Sequence, residues 1–504
     1  MPTYLSLSFA CLLFARSVFT AAVNYPSGPV DLKSALTQSN IRWSPQAILS
    51  FPGQPSFSNA TERWTIFDPP TYSASVTVGS EVDVVNAIRL SKSLNIPFLA
   101  TGGRHGYGTT LGRLKNGLSI DLSQLKSVSI NKHAATMTIG GGVRFRDMVD
   151  PLFAAGFQIQ TGTCSCPGMV GVSVGAGIGR LQGLYGLLSD ALISATVVTA
   201  SGRVLQVSES SNSDLFWGIR GAGANFGVIT SATYRVQPLI NGGIFTSVDM
   251  IFPASKNASY FNTLASMGNG NGTFPAKLAA ISNIIYNATS KEPEILANWA
   301  YAGPREEALR IIAPILNLEP AFTNITDVSW KDLNTATGFG LDAAVCEPNH
   351  IRNVYGASLR TLSAPTYVSA FQKLADFYAM YPEAQGSALS LESFPPQKVR
   401  DTPDSTSAYP WRDAITYLLI ELTWEKVGSS VEGPSNALAL ELRKDFAASS
   451  GYPDLSVYVN YAHGDEKIEQ IYGSRKLPRL AKLKKTWDPD NVFAFNNPLP
   501  TSYP

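Results

Sequence analysis

The sequence predicts an α+β protein with two domains. At 504 residues, the chain is too long to fold around one compact hydrophobic core. Residues 64–237 alternate short apolar strands with short helices, whereas residues 240–455 combine longer helices with strand-like runs. Hydrophobic residues make up 44% of the chain and charged residues 15%, so each domain has enough apolar sequence to form a core.

The first domain alternates strands and helices in chain order. Ser73–Val78 is apolar and rich in β-branched residues, which predicts a strand. Ser80 followed by Asp83 matches the pattern that caps a helix N-terminus, and apolar residues at helical spacing follow. The next predicted elements are strand Pro97–Ala100, strand Ala134–Ile139, turn Gly140–Gly142, helix Val143–Ala155, hairpin Ala195–Val207 and strand Val228–Val236.

The second domain has longer elements. Helical periodicity covers three segments and strand-like apolar runs cover two more, which indicates a sheet with helices on one face. The predicted helices are 304–316, 366–381 and 435–449, and the predicted strands are Ala388–Glu392 and Ile415–Trp424.

A glycine-rich loop that carries one histidine follows the strand Pro97–Ala100. It reads Thr101-Gly-Gly-Arg-His105-Gly-Tyr-Gly108. Backbone N–H groups that no side chain obstructs can surround a diphosphate, and glycine-rich turns provide such groups. The loop therefore predicts a site for a cofactor that carries a diphosphate, with His105 beside it.

A second glycine-rich loop carries two cysteines and begins Gly162-Thr-Cys164-Ser-Cys166-Pro-Gly. Of the four cysteines in the chain, Cys11 lies in a predicted signal peptide, so Cys164, Cys166 and Cys346 remain. An odd number of thiols in an exported protein calls for an explanation. Covalent attachment of one thiol to a cofactor would provide it.

These loops, together with Tyr185-Gly-Leu-Leu-Ser-Asp190 and Phe216–Gly227, resemble the flavoproteins with a vanillyl-alcohol-oxidase-type (PCMH-type) FAD-binding domain. Within that group the chain resembles the berberine-bridge-enzyme-like oxidases, some of which bind FAD through one histidine and one cysteine. The resemblance implies a two-subdomain FAD-binding domain and an α+β substrate domain with an antiparallel sheet. The implied ranges are 64–237 for the FAD-binding domain, 240–455 for the substrate domain, and 456–500 for a C-terminal segment that completes the FAD-binding domain.

The resemblance implies covalent FAD, with His105 at the position of the histidine that forms the 8α bond. Cys164 keeps the family's spacing to Tyr185-Gly186 without a gap and is the favoured second attachment residue. Cys166 is the alternative, because it keeps the family's Cys-Pro dipeptide. Arg104 stands where the family usually has glycine, which adds bulk and positive charge beside the diphosphate. The other predicted cofactor-binding residues are Thr101, Gly102, Gly103, Gly106, Tyr107, Gly171, Gly175, Gly177, Gly179, Tyr185, Gly186, Asp190 and Asn496, with Asn497 as an equally placed neighbour of Asn496.

The resemblance also implies a catalytic residue. Hydride loss from a substrate to a flavin requires proton loss to a base. In the family the second tyrosine of Tyr-x-Asn-Tyr often has this role, which corresponds to Tyr461. Because a phenol has a reference pKa of about 10, a nearby cation or hydrogen-bond donor is expected to favour the phenolate. Glu392 and Glu421, on predicted strands of the substrate domain, are alternative bases.

The implied function is oxidation of an alcohol, sugar or secondary metabolite by hydride transfer to covalently bound FAD, with O₂ reoxidising the flavin and forming H₂O₂. The apolar run Ile415–Leu422 favours a small metabolite over an oligosaccharide. A serine esterase is an alternative, because Gly171-Val-Ser173-Val-Gly175 matches the nucleophile-elbow pattern. A binding protein that keeps the fold without flavin is another alternative.

Charge and targeting patterns bear on partners and location. A net charge of +1 without a basic run argues against a nucleic-acid partner, and no Cys/His set has the spacing of a zinc site. The apolar run Tyr4–Ala15, which is too short to span a bilayer, and the small residues Thr20–Ala22 predict a signal peptide over 1–22. Sequons at Asn59, Asn257, Asn271, Asn287 and Asn324 then predict a secreted, extracellular glycoprotein.

Overall fold

Mixed helices and sheets make up the computed structural model, which describes residues 31–38, 40–269 and 274–504. In these residues the strands are β1 (Ile48–Ser50), β2 (Tyr72–Thr77), β3 (Phe98–Thr101), β4 (Gly117–Asp121), β5 (Val128–Asn131), β6 (Thr136–Gly140), β7 (Phe157–Gln158), β8 (Leu192–Val198), β9 (Val204–Ser208), β10 (Val228–Arg235), β11 (Gln237–Pro238), β12 (Ile244–Phe252), β13 (Leu278–Asn287), β14 (Glu292–Tyr301), β15 (Phe322–Ser329), β16 (Asn353–Leu359), β17 (Ala388–Ser393) and β18 (Thr416–Leu422). The α-helices in the same residues are α1 (Leu32–Leu36), α2 (Pro55–Thr61), α3 (Glu81–Ser93), α4 (Phe145–Ala154), α5 (Met169–Val174), α6 (Gln182–Tyr185), α7 (Ser213–Ala222), α8 (Asn257–Asn269), α9 (Arg305–Leu316), α10 (Leu333–Ala336), α11 (Asp342–Val345), α12 (Ala364–Met380), α13 (Gln397–Asp401), α14 (Glu432–Ser449), α15 (Ile468–Tyr472) and α16 (Leu477–Trp487). The predicted signal peptide and Asn271 lie outside the described residues. None of the helices described here has both the length and the apolar character needed to cross a membrane.

A four-stranded sheet in the order β1-β2-β4-β3 lies in the first predicted domain. Strands β2, β4 and β3 are parallel, and β1, which precedes residue 64, pairs with β2 antiparallel. Helix α3 begins where the sequence predicts it, because the Asp83 carboxylate accepts a hydrogen bond from the Ser80 backbone N–H at 2.9 Å. Strand β3 ends at Thr101, so this sheet delivers the His105 loop to its carboxyl edge.

A second sheet has five antiparallel strands in the order β5-β6-β10-β8-β9. The β8–β9 pair confirms the predicted hairpin, with Val197 opposite Leu205. Ser173 lies within helix α5 and is fully buried. A nucleophile elbow requires an exposed serine on a sharp strand-to-helix turn, so the serine-esterase alternative is wrong.

The largest sheet has seven antiparallel strands in the order β15-β12-β14-β13-β17-β18-β16. Successive side chains of a strand point to opposite faces. Ala280 and Leu418 pack in the core that contains residues of α8, α12 and α14, whereas Ile281 and Tyr417 pack in the core of the five-stranded sheet. This arrangement confirms the predicted antiparallel sheet with helices on one face, and it leaves the other face toward the first domain.

The C-terminal tail returns from the large sheet to the first domain. Asn225, just before β10, donates to the Asn497 carbonyl at 3.3 Å and accepts from the Leu499 N–H at 2.8 Å. Lys484 of α16 has no exposed surface, and its ammonium donates to the Asn225 carbonyl at 3.0 Å. Buried polar contacts of this kind are costly to break, so they hold the tail in place.

Candidate functional site

A cleft of about 140 Å³ runs between the four-stranded and five-stranded sheets. Gly102 follows β3 on one wall, Gly141 follows β6 on the other, and Asn496 comes from the C-terminal tail. Further lining residues are Val170, Gly171, Val174, Gly175, Gly223 and Asn460. Of the predicted cofactor-binding residues, the cleft therefore brings together Gly102, Gly171, Gly175 and Asn496.

Only glycine fits at two positions of the His105 loop, Gly102 in the cleft wall and its neighbour Gly103. A Cβ on Gly102 would lie 2.6 Å from the Gly141 carbonyl oxygen, and a Cβ on Gly103 would lie 2.2 Å from the Gly168 nitrogen. Both distances are far below van der Waals contact, so the loop packs directly against the backbone of its neighbours. Where glycines such as Gly102 line the cleft, the wall exposes backbone, which fits the diphosphate of FAD.

His105 lies within this loop, and one of its ring nitrogens makes no hydrogen bond to the described residues. Its imidazole stacks on Trp64, with ring centroids 4.3 Å apart and an interplanar angle of 18°. The Nε2 atom is buried and has no hydrogen-bond partner among the described residues. Burial, and then the positive charge of Arg352, lower the pKa of His105 to about 3. The imidazole is therefore neutral at physiological pH, and a lone pair on nitrogen is available for attachment to a flavin.

Arg104 occupies a position that favours glycine, because its φ is +56°. Its guanidinium pairs with Asp121 at the end of β4, with Nη1 2.9 Å from Oδ1. Both side chains are largely buried. The expected extra positive charge beside the diphosphate is therefore largely offset by the Asp121 carboxylate.

The two cysteines of the second loop have different states. Cys166 forms a disulfide with Cys346, 180 residues further along the chain. Among the described cysteines, Cys164 is free and half-buried. The disulfide consumes the thiol on which the alternative alignment depended, so the structure leaves Cys164 as the thiol that could attach to a cofactor. The spacing of the cysteines in the sequence contains no signal for this pairing.

Tyr461 forms a hydrogen-bonded pair with Glu392. The phenol donates to Glu392 Oε2 at 2.5 Å, and Thr163, one residue before Cys164, donates to Oε1 at 2.9 Å. Burial, and then the charge of Glu392, raise the pKa of Tyr461 well above its usual value. The expectation that a cation or a donor favours the phenolate is wrong, because the phenol's partner is a carboxylate.

Glu392 is a buried carboxylate with only 5% of its surface exposed. Burial raises its pKa, and the hydrogen bonds from Tyr461 and Thr163 and the charge of Arg180 oppose that rise. Arg180 is also buried, and its Nε and Nη1 have no hydrogen-bond acceptor among the described residues. This combination makes Glu392 a candidate proton acceptor with the phenol of Tyr461 as its contact to the site.

Glu421, the other alternative base, has a different partner. It pairs with Arg352, with Nε 3.3 Å from Oε1, and the Arg352 guanidinium stacks on Trp64 at 4.5 Å. Glu421 is therefore connected to His105 through Arg352 and Trp64. It makes no hydrogen bond to Tyr461.

The remaining predicted residues have mainly structural contacts. Asp190 forms a two-point ion pair with Arg412, at 2.7 and 3.1 Å, and its carboxylate caps the Leu187 N–H. Neither Asp190 nor Tyr185, whose hydroxyl accepts from Gln158 at 2.9 Å, lines the cleft. Three of the other predicted glycines form backbone hydrogen bonds: the Gly106 carbonyl accepts from Arg63, the Gly177 N–H donates to the Tyr458 hydroxyl, and the Gly179 N–H donates to Gln182. Gly186 has a φ of +81°, which favours glycine. The hydroxyls of Thr101 and Tyr107 are buried and have no hydrogen-bond partner among the described residues.

Sequence reasoning missed several residues of the site. Trp64, Thr163, Arg180 and Cys346 contact or face predicted residues only because distant segments meet. Asn460 lines the cleft, and the sequence contained a signal for it, because it is the asparagine of the Tyr-Val-Asn-Tyr pattern.

Family models match two parts of the chain. The model described as "FAD binding domain" matches residues 72–208, and the one described as "Berberine and berberine like" matches residues 457–500. The second range contains Tyr461 and Asn496, and the first contains His105 and Cys164.

Similar proteins cover nearly the whole chain. FAD-linked oxidoreductase OXR1 of Pyricularia oryzae is 53% identical over 91% of this chain and 90% of its own length, and FAD-linked oxidoreductase srdI of Neurospora crassa is 46% identical over 98% and 99%. Among solved structures, BBE-like 1 of Physcomitrella patens has a TM-score of 0.81 at 22% identity, covering 94% of this chain and all of that one. A chitooligosaccharide oxidase has a TM-score of 0.76 at 21% identity, over 90% and 97%. Sequence identity over nearly the full length, together with the FAD cleft, shows that this chain belongs to the berberine-bridge-enzyme-like family of FAD-linked oxidoreductases.

Proposed function

We propose that the protein oxidises an alcohol group of a small metabolite with covalently attached FAD and passes the electrons to O₂, forming H₂O₂. The observation that carries the proposal is the buried Tyr461–Glu392 pair, which Thr163 joins to the Cys164 loop. When bound, FAD supplies a hydride acceptor at its N5 atom and a route for two electrons to O₂. The protein has to supply the proton acceptor and the binding geometry.

The Tyr461–Glu392 pair can move one proton away from a substrate hydroxyl. Glu392 Oε2 takes the phenolic proton of Tyr461 as the phenol oxygen takes the proton of the substrate. Tyr461 is neutral before and after this transfer, which suits its raised pKa. Glu392 is the final base, and the adjacent Arg180 charge stabilises its ionised form.

The apolar surroundings of Tyr461 support a small metabolite as substrate. Trp64, Tyr107 and Val354 form a buried cluster against which Leu419 and Tyr461 pack. Leu419 lies in the run Ile415–Leu422 that favoured a metabolite in the sequence. The solved relatives include a chitooligosaccharide oxidase and a xylooligosaccharide oxidase, so oligosaccharides are the second candidate class.

Two measurements on purified protein test the proposal. A visible absorption band near 450 nm is expected, and colour that stays with the acid-denatured protein would support covalent attachment. A panel of primary alcohols, sugars and oligosaccharides is then screened for peroxide release. A colourless protein would contradict the proposed cofactor state, whereas a yellow protein that releases peroxide only with oligosaccharides would contradict the proposed substrate class.

We expect His105→Ala to remove flavin from that position without unfolding the protein. The glycine-walled cleft and Cys164 still hold the cofactor, whereas no nucleophilic nitrogen remains beside Trp64. Peptide mass spectrometry should find flavin on the peptide containing residue 105 in the wild type but not in His105→Ala. The exposed His133→Ala serves as the matched control and should keep its flavin. A His105→Ala peptide map identical to the wild type would refute this attachment site.

Export through the secretory pathway is part of the proposal. The Cys166–Cys346 disulfide supports it, because disulfides persist mainly in oxidising compartments. Asn59 and Asn324 are exposed and open to glycosylation, whereas the Asn287 amide donates to Glu294 at 2.6 Å. Intact mass of protein from its native host should fall after N-glycosidase treatment, with most of the loss from the exposed sites. A retained Met1 with no mass loss would contradict export.

A further inference from the structure

One segment of the substrate domain contacts the loops of both predicted flavin-attachment residues. We call residues 333–352, between β15 and β16, the clamp segment. Its Asn334 amide donates to the Gly162 carbonyl at 3.1 Å. Its Asp342 carboxylate accepts from the Ser165 N–H at 2.8 Å and from the Ser165 hydroxyl at 2.5 Å. The clamp segment therefore binds the Cys164 loop by hydrogen bonds to residues before and after the thiol.

The disulfide adds a covalent bond to these contacts. Cys346 of the clamp segment is bonded to Cys166, two residues after Cys164. Because Thr163 also donates to Glu392 on β17, the residues on either side of Cys164 are both attached to the substrate domain. These contacts fix the conformation of the loop before FAD binds. The entropic cost of positioning the thiol for attachment is therefore lower.

The clamp segment also reaches His105, through Trp64. The Trp64 indole N–H donates to the Val345 carbonyl at 2.7 Å, next to the disulfide, and His105 stacks on the indole. Arg352 donates to the Trp64 carbonyl at 2.7 Å. Neither contact involves a cysteine, so the Trp64–His105 stack keeps its partners when the disulfide is removed.

We propose that the Cys166–Cys346 disulfide and Asp342 are positioning residues for flavin attachment, and that the disulfide has to form before Cys164 can be joined to FAD. This inference rests on the proposed covalent FAD. In the attachment, Cys164 exchanges its S–H bond for a bond from sulfur to a ring carbon that loses its hydrogen. The two hydrogens leave as two protons and two electrons, which reduce one O₂ to H₂O₂.

A free thiol two residues from a disulfide could also exchange with it, and the environment of Cys164 opposes this. The thiolate is the form that attacks a disulfide. Burial, and then the charges of Glu392 and Asp342, raise the pKa of Cys164 to about 12. The thiol is therefore protonated at physiological pH, which slows exchange with the Cys166–Cys346 bond, and its proton is lost only in the attachment step itself.

The experiment measures attachment at each residue separately. Cys166→Ala/Cys346→Ala removes the disulfide without leaving a stray thiol, and Asp342→Asn keeps the disulfide but removes the charged acceptor of Ser165. Asp376→Asn is the matched control, because this carboxylate is exposed and accepts a hydrogen bond from Gln372 within α12, outside the clamp segment. Each protein is produced with FAD, and flavin on the peptides containing residues 105 and 164 is quantified by mass spectrometry, with circular dichroism as the test of folding.

The wild type and Asp376→Asn should carry flavin at both residues. The double variant should keep its flavin at His105, but the fraction of Cys164 that carries flavin should fall at least tenfold. In Asp342→Asn that fraction should fall several-fold. Attachment at Cys164 to the wild-type extent in the folded double variant would overturn the inference and leave the proposed function intact. If the double variant does not fold, Asp342→Asn becomes the test. Attachment at Cys164 to the wild-type extent in Asp342→Asn would then overturn the inference. A wild type without flavin on Cys164 would instead contradict the proposed attachment itself.

Discussion

Glu392→Gln is expected to slow reduction of the flavin by substrate about 10²–10⁴-fold, the usual scale for loss of a general base. Glutamine keeps the size of the side chain and can still accept a hydrogen bond from Tyr461, but it cannot take the proton. Stopped-flow absorbance near 450 nm, without O₂, measures this step directly. Tyr461→Phe should be impaired on a similar scale, because it removes the hydroxyl through which the proton reaches Glu392.

The pH dependence gives this prediction a second readout. Because burial raises the pKa of Glu392, its carboxylate form is lost at a higher pH than that of an exposed glutamate. The rate of flavin reduction in the wild type should therefore fall as pH is lowered through this pKa, and Glu392→Gln should remove that acid limb. Glu421→Gln is the control, because Glu421 pairs with Arg352 instead. A Glu392→Gln variant with the wild-type rate and pH profile would rule out this carboxylate as the base.

Lys484→Met is expected to lower the free energy of unfolding by about 3–5 kcal/mol, the scale for breaking a buried ion pair by removing one partner. The ammonium is fully buried and donates to Asp488 at 2.7 Å, to the Phe493 carbonyl at 2.8 Å and to the Asn225 carbonyl. Methionine fills the space but leaves the Asp488 carboxylate without its charged partner.

Denaturant unfolding and FAD retention measure this effect. The tail that Lys484 anchors also provides Asn460 and Asn496 to the cleft, so the variant should carry less FAD per protein molecule than the wild type. The nearby exposed Lys482→Met is the matched control and should change stability by less than about 0.5 kcal/mol. Equal unfolding midpoints for the two variants would show that the buried pair contributes little.

Local signals in the sequence were sufficient for the elements and for the loops of the site. The Ser80–Asp83 cap, the strand leading into the His105 loop and the hairpin of β8 and β9 depend on residues close together in the chain. For such contacts, residue type and spacing determine the backbone geometry, so a single sequence contains the information. The family, the FAD-binding fold and its mixture of helices with antiparallel sheets followed from the same local motifs.

Contacts between distant segments were decided only by the tertiary structure. The Cys166–Cys346 bond joins residues 180 positions apart, and the Tyr461–Glu392 pair joins residues 69 apart. Strand register determines which side chain of a sheet faces the site, and a shift of one residue would turn Glu392 toward the helices instead. That register depends on the packing of the seven-stranded sheet as a whole, which no local pattern specifies. The sequence alone therefore determined the family and the candidate attachment residues, whereas the packing of the seven-stranded sheet and its loops decided which thiol is free and which carboxylate contacts Tyr461.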